Sequence, residues 1–426
     1  MNRPLYIFCV LSVFSIFVSS CTPSESILVT GAAPTVTALA TTIPGSTPTS
    51  TAPTEVTQAS TPVFQDAIRV PEDQPTIQAG IDAAPDGGLV LVGPGTYTEN
   101  IRIARKSVIL ASHFHATGDE QFINSTVIDG NEGVAITVAR TAGPDTMIIG
   151  FTIQNGDEGI NVRAAVQILN NRFLNNRDGI GYQNGSGINS GNVYENNRDD
   201  GIDLDRGSQA IIENNIIRDN RNDGIEVRLH EYSGPTLNIV IRNNIISGNL
   251  EDGIQLIDYP DVSDRVFFIE HNLIQGNAMA GLGLMDEGVS DEDFRAANIP
   301  ERIYLINNTF ADNPYAVSGG DNLIAFNNIF INSTTLALKN VDGDSIAAYN
   351  LFWKNETDSQ GSNIDENTSL FSDPLLDTDA RLQPGSPAID AGVARFEWNG
   401  ETVLDLPTSA FSGVAPDLGV YEADPP

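Results

Sequence analysis

The sequence predicts an all-β fold: a parallel β-helix built as one solenoid, with a short N-terminal capping helix and a disordered tether before it. Three observations carry this. From about residue 65 onward, short runs of Ile, Val, Leu and Phe alternate with polar residues, which is strand patterning with little helical periodicity. A "GI" or "GL" frame recurs with Gly at 159, 179, 201, 224, 253 and 281, separations of 20, 22, 23, 29 and 28 residues. A second ladder follows the "NN" motifs through Asn171, Gly191, Asn215, Asn244, Asn272, Asn308, Asn328 and Asn350. An apolar residue stands two places after each: Phe173, Val193, Ile217, Ile246, Ile274, Phe310, Phe330 and Phe352. One residue type at one turn per period means one coil per repeat. Asn and Gly tolerate the left-handed backbone of sharp turns, and stacked Asn side chains can bond from coil to coil.

The elements follow in chain order. "MNRPLYIFCVLSVFSIFVSSC" places Arg3, an apolar run and small residues ahead of a Cys. It reads as a secretory signal, too short for a membrane span. "VSSC" resembles a bacterial lipobox, which implies lipidation of Cys21, export, and anchoring at the cell surface or envelope. Cys9 lies inside the signal, so the mature chain keeps one Cys, which excludes a disulfide and a Cys-based metal site. Residues 22–64 are rich in Ser, Thr, Pro and Ala and cannot bury a core. As a coil this tether spans roughly 35–40 Å. The β-helix is assigned to residues 65–370 and its closing segment to 371–426. In "PEDQPTIQAGIDAAPDGG", Ile77 and Ile81 share a helix face and Pro85 and Gly87 end it, so a short helix covers the first open sheet edge.

The formal net charge is −34. Such a surface repels nucleic acid and acidic headgroups. It also repels anionic polysaccharide unless cations or local Arg residues intervene.

The stretches "PTIQAGIDAAPDGGLVLVGPGTYTENIRI", "TVIDGN" and "GFTIQNG" resemble the entry coils of right-handed parallel β-helix proteins of the pectin-lyase-like superfamily. "RLQPGSPAIDAG" with "APDLGVYE" is similar to the closing segment of secreted bacterial β-helix proteins. The resemblance covers nearly everything from residue 65. It implies the fold, the right-handed coil and export, but not the activity, because that fold hosts lyases, hydrolases, epimerases, esterases and binding proteins. The "NTD", "GHG" and "RIK" elements of pectin-hydrolysing glycosidases are absent. So are the "WIDH" of pectate lyases and the "DPH" of alginate epimerases, and no catalytic residue is carried over from those families.

Candidate chemistry therefore comes from alternation. In the "DGI" strands Ile202 and Leu204, Ile225 and Val227, and Ile254 and Leu256 point inward, and the residues between them point out. One outward row reads Asn161, Gly181, Asp203, Glu226, Gln255, Gly283; the other reads Arg163, Gln183, Asp205, Arg228, Ile257, Met285. Asp203, Asp205 and Glu226 would supply oxygen ligands for Ca²⁺. Arg228 would pair with Asp205, contact a uronate, or act as a base if its pKa fell. His230 carries an imidazole, the side chain best suited to acid–base work. Tyr232 completes the catalytic group as a proton donor or stacking ring. Three longer connections, "HEYSGPT" (230–236), "DYPDVSD" (258–264) and "DEGVSDEDFRAANIPE" (286–301), leave the same strand position and should cluster along one edge. They add Glu231, Asp258, Tyr259 and Asp261 as a groove wall, with Phe294 as a further platform. The last connection is acidic but lacks EF-hand spacing, and reads as a solvated loop.

Two function classes stay open. One is a monomeric, surface-anchored polysaccharide lyase or C5-epimerase that removes a proton beside a uronate carboxylate. The other is a non-catalytic glycan-binding adhesin, or a structural stalk, built on the same solenoid.

Overall fold

The computed structural model describes residues 66–423. The signal, Cys21 and the tether lie outside these residues. Three long sheets run the length of the described unit, one of twelve strands and two of eleven. The chain visits them in turn: Gly88–Val92 in the first, Gly95–Thr98 in the second, Ile101–Ile103 in the third, then Val108–Ser112 back in the first. Successive strands of a sheet pair in parallel, as Ile202↔Ile225↔Ile254 do in the third sheet. Each coil thus stacks on its neighbour at about 4.8 Å.

The interior follows from the alternation. Ile202, Leu204, Ile225, Val227, Ile254 and Leu256 are all buried in one continuous core. Burial of each such side chain stabilises by about 1.5–3 kcal/mol before entropy is counted. The capping helix spans Ile77–Ala83, with Ile77 and Ile81 buried on that core and Thr76 accepting from the Ala79 amide. At the other end residues 371–423 wrap the last coils and carry an antiparallel hairpin, Arg395–Trp398 with Glu401–Asp405.

The turn between the first and second sheets holds the Asn ladder. Each ladder Asn accepts from the backbone amide of the Asn one coil back, and its own amide donates forward. Asn215 N donates to Asn244 Oδ1 at 3.0 Å, and Asn244 N to Asn272 Oδ1 at 3.0 Å. The ladder corrects the sequence reading at one rung. Asn192, not Gly191, accepts from Asn171, and Tyr194, not Val193, fills the interior beside Phe173. Gly191 takes the preceding position, at φ +69°, where other coils place Asn170 (+54°) or Asn214 (+56°). In "SGNVYE" the pair "GN" replaces "NN", and counting from the Gly shifted the rung by one.

A second ladder, not read from the sequence, lines the turn between the second and third sheets: Asn176, Asn197, Asn220, Asn249, Asn277 and Asn313. Two buried amide stacks therefore fix two of the three corners. Replacing Asn244 by Ala strands the Asn215 amide and the Ile212 carbonyl that it serves. We expect a loss of about 2–3 kcal/mol in urea unfolding, whereas Asn214→Ala, on the exposed side of the same turn, should cost far less.

Candidate functional site

The outward face of the third sheet brings the candidate residues together. Asp203 pairs in register with Glu226, and Glu226 with Gln255. Arg228 stands among three carboxylates, with its guanidinium 2.5 Å from Glu226, 3.2 Å from Asp203 and 3.9 Å from Asp205. His230 Nε2 lies 3.3 Å from Asp205 Oδ1, and its ring packs on Tyr259 at a tilt of 31° with centroids 4.4 Å apart.

This face is drier than a free surface. Glu226 is 1% exposed, and Gln255, Ile257 and Met285, expected outside, are buried. The connection after Ala280–Met285 accounts for part of this: Glu292 folds over Gly283, where a Cβ would strike both its carboxyl and that of Asp252. Burial and the charge of Asp205 push Asp203 up to about 8, against the pull of Arg228. Burial also raises Glu226 to about 7, again opposed by Arg228. One guanidinium cannot compensate three carboxylates, so the surplus favours protons or a further cation. Arg228 itself is no base. Burial works against its charge, but Glu226, Asp203 and Asp205 outweigh that and hold its pKa above the ordinary value. The three carboxylates expected to hold a metal thus meet a guanidinium instead of a vacant centre.

A different oxygen cluster lies one step along the same face. Ligand atoms of Asp178, Asp199 and Asp200 all fall within 4.8 Å of one another. Asp178 is 1% exposed, and neither of its oxygens has an aligned hydrogen-bond donor. Arg177 reaches its Oδ2 at 2.8 Å and Asp199 at 3.4 Å, within ion-pair range. Burial drives Asp178 up to about 7. The spacing of the "DGI" frames singled out their Gly and inward apolar residues, but not their Asp. In fact Asp200, Asp223 and Asp252 form a buried carboxylate ladder: Asp223 N donates to Asp200 at 2.9 Å and Asp252 N to Asp223 at 2.7 Å. Burial raises all three well above the ordinary carboxylate range. The signal was present in the sequence, since an Asp recurs in the same frame at 178, 200, 223 and 252.

The three longer connections do leave adjacent strands, Ile225–Leu229, Ile254–Asp258 and Ala280–Met285. The first is no loop beyond Glu231. From Tyr232 it is a strand, Tyr232–Arg242, paired with Ser263–Glu270 across a bulge. This carries Tyr232 away from the proposed catalytic group. Its ring packs on Gly207 and under Arg265, and its hydroxyl donates to the Pro235 carbonyl at 3.3 Å. Glu231 is exposed. Phe294 is not a free platform, since it stacks on Tyr315 at 4.1 Å with Lys339 above both rings. The acidic third connection is not simply solvated, because Glu292 and Glu301 are buried.

Between the second and third connections lies a cleft of about 630 Å³, lined in part by Asp258, Tyr259, Asp261, Arg265, Glu301 and Arg302. Asp258 is pushed up to about 7 by burial and by Glu301. Arg265, which the sequence did not single out, is buried and donates to the His230 carbonyl at 3.0 Å and to the Arg206 carbonyl. It thereby positions the segment that carries His230.

Residues 112–263 match the family described as right handed beta helix region. No curated protein matches the chain. Among solved structures it is similar to pectate lyase Pel9A, at 18% identity and TM-score 0.45, over 82% of this chain and 91% of that one. It is similar also to the catalytic unit of the GH87 alpha-1,3-glucanase of Streptomyces thermodiastaticus strain HF3-3, at 18% identity and TM-score 0.43, over 67% of this chain and 61% of that one. A third is the Family 28 exopolygalacturonase of Yersinia enterocolitica, at 13% identity and TM-score 0.44, over 70% of this chain and 75% of that one. The matched segment, set on three parallel sheets with one coil per repeat, gives the described unit the fold of a right-handed parallel β-helix.

Proposed function

We propose that this protein acts on an acidic polysaccharide at the third-sheet face, by removing the proton beside a uronate carboxylate. The observation that carries this reading is the meeting, on adjacent coils, of an oxygen-only acidic cluster with a clamped Arg228 and a half-exposed His230. In the proposed reaction His230 takes the proton. Asp205, 3.3 Å from Nε2, orients the ring and stabilises its charged form. Arg228, held charged by its three neighbours, supplies a fixed positive field where the uronate carboxylate gathers charge. Tyr259, packed at a tilt against His230, offers a half-buried ring to the sugar. In a lyase the C–O bond to the next sugar then breaks, the leaving oxygen takes up the proton from His230 or from water, and an unsaturated uronate remains. In an epimerase a proton returns to the opposite face.

The donor set of Asp178, Asp199 and Asp200 is all oxygen, with Oδ1 of the buried Asp178 free of hydrogen-bond partners while Arg177 holds its Oδ2, and it suits Ca²⁺. Bound there, Ca²⁺ would supply charge for the substrate carboxylate. The same reading sets the solenoid outside the cell as a monomer, tethered through Cys21.

Two outcomes are expected. With a polyuronate substrate, wild type forms product with a new ultraviolet absorbance, or exchanges solvent deuterium into the uronate. His230→Ala lowers that rate by about a hundredfold or more while the unfolding midpoint holds. Binding without product or exchange would turn the reading toward a non-catalytic glycan binder. The second outcome concerns pH. Asp203 and Glu226 bind protons more tightly folded than unfolded. Their contribution is complete below the unfolded carboxylate range near 4 and is lost as pH rises through 7 to 8. Urea stability should therefore fall across that window. The double variant Asp203→Asn, Glu226→Gln should make the profile shallower, with Asp178, Asp258 and the buried carboxylate ladder carrying the remainder, and Ca²⁺ should restore stability at its upper end in wild type but not in Asp199→Asn.

A further inference from the structure

We infer that the first coils carry a polyanion-binding track, in which Arg102, Arg105, Arg140 and Arg163 hold the acidic groups of a glycan chain whose reacting sugar lies between Asp203 and His230. This rests on the reading of that site given above and adds how the polymer is seated.

The charge pattern is the first support. The chain has 56 acidic and 22 basic side chains. Many other guanidinium groups are committed to carboxylates, as at Arg172, Arg177, Arg218 and Arg242, although among the described residues Arg206 and Arg221 are exposed and free of them as well. The four Arg residues of the track are exposed. Among the described residues none of them has a carboxylate within ion-pair distance. Arg163 Nε donates only to the neutral Asn161 amide, at 2.6 Å. Unpaired like charges held close together repel, and an anion relieves them. A net charge of −34 pushes a polyanion away at long range. Capture then needs a local cationic strip acting within about a Debye length, roughly 8–10 Å.

Register is the second support, and it is independent of charge. Arg102 pairs with Thr137, Thr137 with Asn161, Asn161 with Gly181, and Gly181 with Asp203. Arg102 therefore stands in the outward row that reaches Asp203 four coils later, about 19 Å away. The neighbouring row runs through Arg163 and Gln183 to Asp205, since Val162 pairs with Tyr182 and Gln183 with Asp205. Arg105 and Arg140 occupy the turn just past these rows. At the start of the track lies a cavity of about 640 Å³, lined by Arg102, Arg105, Lys106, Gln78, Thr141 and a single carboxylate, Asp82. Lys106 has a structural duty there, donating to the Asp82 and Ala84 carbonyls at the end of the capping helix. The cations form a line that continues onto the site face, which fits a linear polymer better than a planar headgroup surface.

The test uses the full-length chain and the triple variant Arg102→Gln, Arg105→Gln, Arg140→Gln, whose side chains have no structural partner. Binding is measured by calorimetry against long polygalacturonate, its trimer, dextran sulfate, neutral dextran and phosphatidylglycerol vesicles, at two salt concentrations. The expected result is that wild type binds a long anionic polymer more tightly than the trimer, and less so at high salt. The variant should lose about tenfold or more for the long polymer, lose the salt dependence, and keep trimer binding. The carboxylated and sulfated polymers identify which anion is preferred. Equal polymer binding by wild type and variant would overturn the track and leave the site reading standing. No binding of any acidic glycan by wild type would overturn both. Loss confined to the vesicles would overturn the track in favour of a membrane contact.

Discussion

The structure depends on one hydrogen-bonding arrangement: a buried Asn side chain that mimics the backbone and links each coil to the next. A corner of the solenoid must turn sharply, and turning takes amide groups out of the sheet ladder. Left unpaired and buried, each would cost about 1–3 kcal/mol. The Asn at each rung satisfies its neighbour's N–H and a carbonyl at once, as Asn244 does for Asn215 and Ile212. Because the same rung repeats, the coils cannot slip by one residue without breaking the whole stack. That fixed register aligns the outward rows, and aligned outward rows are what place Asp203 beside Glu226.

The carboxylate ladder is a variation on this device. Asp200, Asp223 and Asp252 accept neighbouring backbone amides in the same way as Asn does. They do so with a group that can also hold a proton or a cation. Architecture and chemistry thus share one position. An Asn at 223 would satisfy the amide from Asp252 equally well, so the acidic choice is not explained by folding alone.

How much of this the sequence revealed depends on the range of the forces involved. The coil, the inward Ile and Leu residues and the capping helix follow from spacing, because steric alternation is local. The Arg228 clamp with Asp203, Asp205 and Glu226 was legible by the same alternation carried across one coil. Tyr232 was misplaced because a strand continued where a turn was expected, and the bulge beside it leaves no mark in residue type. Ile257 and Met285 were misjudged because what covers an outward row comes from chain that is remote in the count. The Asp178, Asp199 and Asp200 cluster was overlooked for a different reason. The frame was read through its Gly and apolar positions, and the Asp beside them, with its partners on the adjacent coil, was not counted.

The stacking distance between coils has one more consequence. Groups on this face are separated in whole steps of a single length, so the solenoid behaves as a ruler. Any linear ligand lying along it is read at quantised intervals set by backbone pairing rather than by side-chain reach. Changing a corner segment alters what one graduation recognises. Inserting or deleting a coil moves the two ends of the scale apart or together without disturbing either. Selectivity for a ligand's identity and for its length are therefore separable properties of the same molecule.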